Sequence, residues 1–160
     1  MQKCLLTLWK HVIPEKLKCH ISRLLSHRFN VGLVGVFFDR DGKVLCFHHT
    51  YRPIPWGVPT GGLNRAEQPS AGLLREIKEE SGLEVEIIGV YKADVDRSRM
   101  DIIMVGRFIG GTFIPSPEVD NWGLFARDAL PQGIHHPQVI LIKDVWRDWH
   151  DRLSENAGIR

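Results

Sequence analysis

A chain of 160 residues with 43% hydrophobic and 25% charged side chains has the length and composition of one soluble globular domain with a sizeable core. Its formal charge of +2 makes no global demand for a nucleic-acid or membrane partner. Cys4, Cys19 and Cys46 lie far apart without a CxxC pair, which argues against a disulfide frame or zinc site and for reduced thiols in a cytoplasmic protein.

The charge is unevenly spread. Residues 1 to 28 carry Lys3, Lys10, Lys16, Lys18, Arg23 and Arg28 against Glu15 alone, a net +5 that leaves −3 for the remainder. Leu5, Leu6, Leu8 and Trp9, then Leu17, Ile21, Leu24 and Leu25, recur at helical intervals on either side of Pro14. Residues 1 to 28 therefore read as a basic amphipathic helical arm, kinked at the proline, ahead of a main domain over 29 to 160. The expected role of the arm is to pack on that domain or on a second subunit, as in a homodimer; a membrane-surface or nucleic-acid patch is the rival reading. Its apolar pieces are too short for a signal peptide, and no segment reaches the roughly 20 apolar residues of a membrane span. His11, His20 and His27 have no spacing that suits a shared metal.

From Val31 to Phe38 and from Lys43 to His49, β-rich residues flank Asp39, Arg40, Asp41 and Gly42, which predicts a hairpin. His48 and His49 end the second strand as polar residues, with no further His or Cys at zinc spacing. Tyr51 to Gly57 reads as an irregular loop. In it Arg52 suits a phosphate, and Tyr51 or Trp56 suits stacking on a base; burial of Trp56 beside the glycines is the plainer alternative.

Farther along, Glu84 to Val95 and Ile102 to Phe108 are strand-like and joined through Asp96, Arg97, Ser98 and Arg99. A turn is expected at Gly110 and Gly111, a loop at Pro115 to Pro117, a last strand from Trp122 to Phe125 and a short helical corner from Asp128 to Pro131. A closing helix runs from His136 to about Leu153, with Val139, Ile142, Val145, Trp146 and Trp149 as its core stripe. Tyr91 and Trp122 are further candidates for a binding pocket.

The stretch from Gly61 to Leu83, GGLNRAEQPSAGLLREIKEESGL, carries the densest chemistry. On a helix at about 100° per residue, Glu76, Glu79 and Glu80 share one sector, with Leu73, Leu74 and Ile77 on the sector beside it. Like charges so crowded repel, so the arrangement calls for a cation or for full solvation, and hard oxygen ligands suit Mg²⁺ or Mn²⁺. Gly61 and Gly62 let the backbone approach a phosphate or metal closely. Pro69 suits the first helical turn, Glu67 lies where a negative charge favours a helix N-terminus, and Gly82 suits the stop. Arg75 and Glu79 are i and i+4, so the guanidinium can tie down a carboxylate.

This stretch resembles the Nudix box, G-x5-E-x7-R-E-U-x-E-E-x-G-U with U apolar. Gly61, Glu67, Arg75, Glu76, Ile77, Glu79, Glu80, Gly82 and Leu83 fill every fixed position. The resemblance extends over roughly residues 30 to 131. Thr60 and Ala66 stand where glycine is common, and Asn64 where many members carry an acidic residue, which puts one secondary metal contact in question.

What the resemblance implies is an α/β fold, the Nudix-type α/β/α sandwich with a mixed β-sheet, here with the N-terminal arm and a C-terminal helix added. It also implies a Mg²⁺- or Mn²⁺-dependent pyrophosphohydrolase that cleaves the diphosphate of a small-molecule nucleoside diphosphate derivative, such as ADP-ribose, a nucleotide sugar or a (d)NTP. Glu76 and Glu80 are the first candidates for metal ligands, and Glu79 is a third ligand or the group that orients water. Glu67 and Gly61 are supporting members of the metal set, and Arg75 holds the carboxylates. Glu118, with Asp120 beside it, is the candidate base or additional ligand in a later loop; Arg52, Trp56 and Tyr51 are the substrate-binding candidates. Two other readings stand beside this one. A non-catalytic nucleotide-binding module would usually have lost a box carboxylate, and all are present here. An RNA-end or membrane-associated hydrolase would use the basic arm.

Overall fold

A computed structural model describes Pro14, Lys18, residues 30 to 96 and residues 98 to 155. The N-terminal stretch expected to form a helical arm, apart from Pro14 and Lys18, lies outside the described residues, as do Cys4, Cys19, His11, His20 and His27.

Strands β1 (Asn30–Phe38) and β2 (Val44–His49) form the expected hairpin. Asp39 Oδ1 accepts hydrogen bonds from the Asp41 and Lys43 backbone N–H groups at 2.9 and 2.8 Å, and Gly42 takes φ 74, which closes the turn. Both strands are apolar on each face because each face is covered. Val34, Val36, Phe38, Val44 and Cys46 point into one core, and Leu33, Phe37, Leu45 and Phe47 into another.

The remaining elements are β3 (Trp56–Gly57), β4 (Thr60–Gly62), α1 (Pro69–Ser81), β5 (Leu83–Asp96), β6 (Arg99–Gly111), β7 (Val119–Phe125) and α2 (His136–Glu155). They build one mixed sheet in the order β3-β2-β1-β6-β5, with β4 added against β1 and β7 against β2. The β1–β6 pairing is parallel and the others are antiparallel. Leu73 and Ile77 of α1 close the core on one face, and Ile142 and Val145 of α2 close it on the other. This is the expected α/β/α sandwich, with the C-terminal helix as its second outer layer.

Four local expectations change. Trp56 and Gly57 are not part of an irregular loop; they pair with His48 and Phe47 of β2. Gly110 and Gly111 do not turn the chain but stay paired with Glu84 and Leu83, at φ 143 and 103 that favour glycine. Asp128 to Pro131 form no helical corner: a turn over residues 126 to 129 is closed by Ala129 N–H donating to the Ala126 carbonyl, and Leu130 and Pro131 follow it outside any helix. Leu74, expected with Leu73 and Ile77 on the apolar sector that the box helix can bury, is 40% exposed. The buried residues are Leu73, Ile77 and Ser81 at four-residue steps, with Gly72, not Leu74, beside Leu73.

Candidate active site

The start of α1 is set by Pro69 at its first position after an extended Gln68, and its end by Gly82 at φ 70, whose N–H donates to the Lys78 carbonyl. Between them Arg75 holds the box together. Its Nε and Nη2 donate to Glu67 Oε1 and Oε2 at 2.9 and 3.1 Å, and Nη2 also reaches the Gly62 carbonyl at 3.3 Å. Nη1 lies 3.1 Å from both Glu76 Oε1 and Glu79 Oε2. Glu67 lies ahead of the helix, not in its first turn, and its Oε2 also accepts the Asn64 N–H at 3.0 Å. The hydrogen bond from Arg75 is the main reason the Glu67 pKa falls below the ordinary carboxylate value, and Glu67 in turn raises that of Arg75. Gly61 fits because the Glu76 side chain lies where a Cβ would be, and Gly62 N–H donates to Glu76 Oε1 at 3.2 Å.

Glu76 and Glu80 line an open cleft of about 570 Å³, together with Gly61, Arg52, Tyr51 and Glu118. Burial, then the Glu118 and Glu76 carboxylates, push the Glu80 pKa from 4.5 to about 7, against the opposing pull of Arg52. Its Oε2 is buried without a hydrogen-bond partner among the described residues. A carboxylate oxygen left this way is costly, and a divalent cation beside Glu76 and Glu80 would satisfy it, so the donor set fits a hard metal ion. Among the described residues no three His, Cys, Asp or Glu side chains already converge on one point. The expected cluster divides, because Glu79 is drawn away from the cleft onto Arg75 and its side chain is 62% exposed.

Across the cleft, Arg52 Nη2 donates to Thr60 Oγ1 at 2.7 Å and to the Tyr51 hydroxyl at 3.1 Å. Thr60, noted only as a departure from glycine, is thus an anchor for Arg52; the hydroxyl in a position that favours glycine was the available signal. Trp56 does not line the cleft. It is half-buried, edge-on to His48 and Phe125 at ring distances of 5.2 and 5.1 Å. Tyr91 and Trp122 likewise pack on the two cores. Asp120 is taken up by His48 Nδ1 at 2.6 Å. His49 is buried, with both ring nitrogens unpartnered among the described residues.

The model for the NUDIX domain matches residues 27 to 145. The chain belongs to the NUDIX family. Among its relatives, an RNA pyrophosphohydrolase of Gluconacetobacter diazotrophicus is 29% identical over 97 residues, covering 56% of this chain and 57% of the relative. Nudix hydrolase 8 of Arabidopsis thaliana is 33% identical over 86 residues, covering 51% of this chain and 22% of that one. The matched region thus spans little more than half the length of the bacterial relative. Among solved structures, a MutT NUDIX hydrolase from Burkholderia pseudomallei is 26% identical at a TM-score of 0.60, covering 74% of this chain and 98% of that chain. An ADP-ribose pyrophosphatase from Streptococcus suis is 25% identical at a TM-score of 0.61, covering 74% and 92%. A NUDIX hydrolase from Nitrosomonas europaea shares the fold at a TM-score of 0.69 and 21% identity, covering 79% and 74%.

Proposed function

We propose that this NUDIX domain hydrolyses the diphosphate linkage of a nucleoside diphosphate derivative with the help of Mg²⁺ or Mn²⁺. The observation that carries the reading is the unpartnered, buried Glu80 oxygen beside Glu76 in a cleft whose other wall presents Arg52. Names such as RNA pyrophosphohydrolase and ADP-ribose pyrophosphatase among the similar proteins support the same bond type.

Glu76 and Glu80 hold the cation, with the Gly61 backbone beside them. When bound, the ion neutralises phosphate charge and lowers the pKa of water. Arg52, fixed by Thr60, grips a phosphate oxygen and aligns the diphosphate, with the Tyr51 ring at the cleft edge for a base. Glu118, in the cleft and close enough to raise the Glu80 pKa, takes the proton from the attacking water. Arg75 and Glu67 are positioning residues that keep Glu76 at the glycine loop, and Glu79 steadies Arg75.

A panel of ADP-ribose, nucleotide sugars, dinucleoside polyphosphates and nucleoside triphosphates, assayed for released phosphorylated products with and without Mg²⁺, tests the reading. Metal-dependent cleavage of at least one compound is expected, with Glu76→Gln and Glu80→Gln each lower by about a hundredfold or more. Binding without product, or wild-type turnover in both variants at limiting Mg²⁺, contradicts it.

A further inference from the structure

Beyond the acidic edge, the cleft has a second built feature around Gly32. Gly62 of β4, Gly32 of β1 and Asp101 of β6 are successive partners across three neighbouring strands, so their side-chain positions share one face of the sheet. A Cβ on Gly62 would meet nothing within 4 Å, leaving bare backbone there. A Cβ on Gly32 would collide with the Arg99 guanidinium and the Asp101 carboxylate, so Arg99 lies over the position that only glycine leaves open. Asp101 Oδ1 accepts from Arg99 Nε at 2.7 Å and fixes the direction of the side chain. Thr60, two residues before Gly62 and on the same face, fixes Arg52 in the same manner. The result is a patch of bare backbone at Gly62, bounded by the Arg99–Asp101 pair over Gly32 and by Arg52 at Thr60, each guanidinium with a dedicated acceptor. Arg99, Gly32, Gly62 and Arg52 all line the cleft that holds Glu76 and Glu80.

We propose that Arg99 is a specificity-determining residue that binds a second phosphate group of the substrate, one outside the diphosphate being cleaved, while the connecting part lies on the bare backbone at Gly62. The inference rests on the diphosphate-hydrolase reading above and deepens it. Arg52, anchored on Thr60 of β4, serves the reacting phosphates; Arg99 enters the cleft from β6, on the other side of β1. A guanidinium whose Nε is spent on a carboxylate keeps its terminal amino groups for a phosphate and holds them in a fixed plane. The extra phosphate comes from one of two sources, a monophosphate on the ribose or the next internucleotide linkage.

The test compares matched pairs: NADPH against NADH for the ribose phosphate, and a 5′-triphosphorylated dinucleotide against ATP for the linkage. kcat/KM with Mg²⁺, and Kd by calorimetry with Ca²⁺, are measured for wild type, Arg99→Gln and Arg99→Lys. The Arg99 side chain is 56% exposed, so both variants are expected to fold, which circular dichroism checks. The wild type should prefer the phosphate-extended member of one pair by about tenfold or more, and that pair identifies the source. The preference should fall to about one in Arg99→Gln and return in part in Arg99→Lys. No preference in either pair, or one that Arg99→Gln leaves in place, overturns the proposal. A binding preference that depends on Arg99 without turnover of any compound supports the subsite and counts against the hydrolase reading instead.

Discussion

Arg75 meets Glu67 edge to edge across eight residues of chain, Nε to Oε1 at 2.9 Å and Nη2 to Oε2 at 3.1 Å, and so ties the glycine loop to the helix that follows it. The same guanidinium reaches Glu76, so one side chain sets the position of a proposed metal ligand from two directions. Replacing Arg75 with Ala should lower turnover by about 10- to 100-fold and raise the Mg²⁺ concentration needed for half-maximal rate. Arg75→Lys should recover little, because an ammonium cannot match the paired geometry. A Mg²⁺ titration of the three proteins checks this; unchanged metal dependence in Arg75→Ala would contradict it.

Ala66 takes φ 61, a left-handed conformation, just before Glu67. A Cβ there costs about 1 kcal/mol, part of which glycine gives back as greater freedom of the unfolded chain. Ala66→Gly should therefore stabilise the protein by about 0.5 kcal/mol. Urea unfolding reads the change as a higher midpoint at constant m; a lower midpoint would show that the loop relieves the strain in another way.

The phase of α1 can be read by contrast. Ile77 is 1% exposed and Leu74 is 40% exposed. Ile77→Ala should cost about 3 kcal/mol, whereas Leu74→Ala should change stability by less than about 1 kcal/mol. Equal losses would restore the wider stripe that helical periodicity predicts.

Burial first, then the nearby Arg52 and His48, lower the His49 pKa from the ordinary 6.5 to about 4. Above about pH 6.5 the ring is neutral in both folded and unfolded chains. Between pH 6.5 and 4 the unfolded chain binds a proton that the folded one refuses, so stability falls with falling pH, by up to about 3 kcal/mol from this group. Urea midpoints at pH 7.5, 5.5 and 4.5 should drop less for His49→Leu than for wild type. Parallel drops would mean that His49 is not held neutral.

The identity of the fold and its acidic helix were legible in the chain, because local rules govern them. Asp39 to Gly42 can only turn, Pro69 and Gly82 delimit a helix, and the charged spacing from Glu67 to Glu80 repeats a pattern few sequences carry. The β-rich residues from Val31 to Phe38 predict a strand but not the two cores its faces enter. That both faces are covered depends on α2, more than a hundred residues later, returning to the far side of the sheet.

Which carboxylate faces the cleft was decided only by tertiary packing. Periodicity put Glu76, Glu79 and Glu80 on one sector, yet Arg75 draws Glu79 outward while Glu80 lines the cleft with Glu118, from a loop 38 residues away. Trp56 had the chemistry to stack on a base and went instead to Phe125. Arg99 read in the sequence only as part of the connection between two strands, because its place at the start of β6 and beside Gly32 comes from strand register. Sequence alone determined the reactive motif and the elements that bear it, since both rest on neighbours a few residues apart. Direction, burial and the far wall of the cleft come from contacts between distant segments, whose energies exist only once the sheet has assembled.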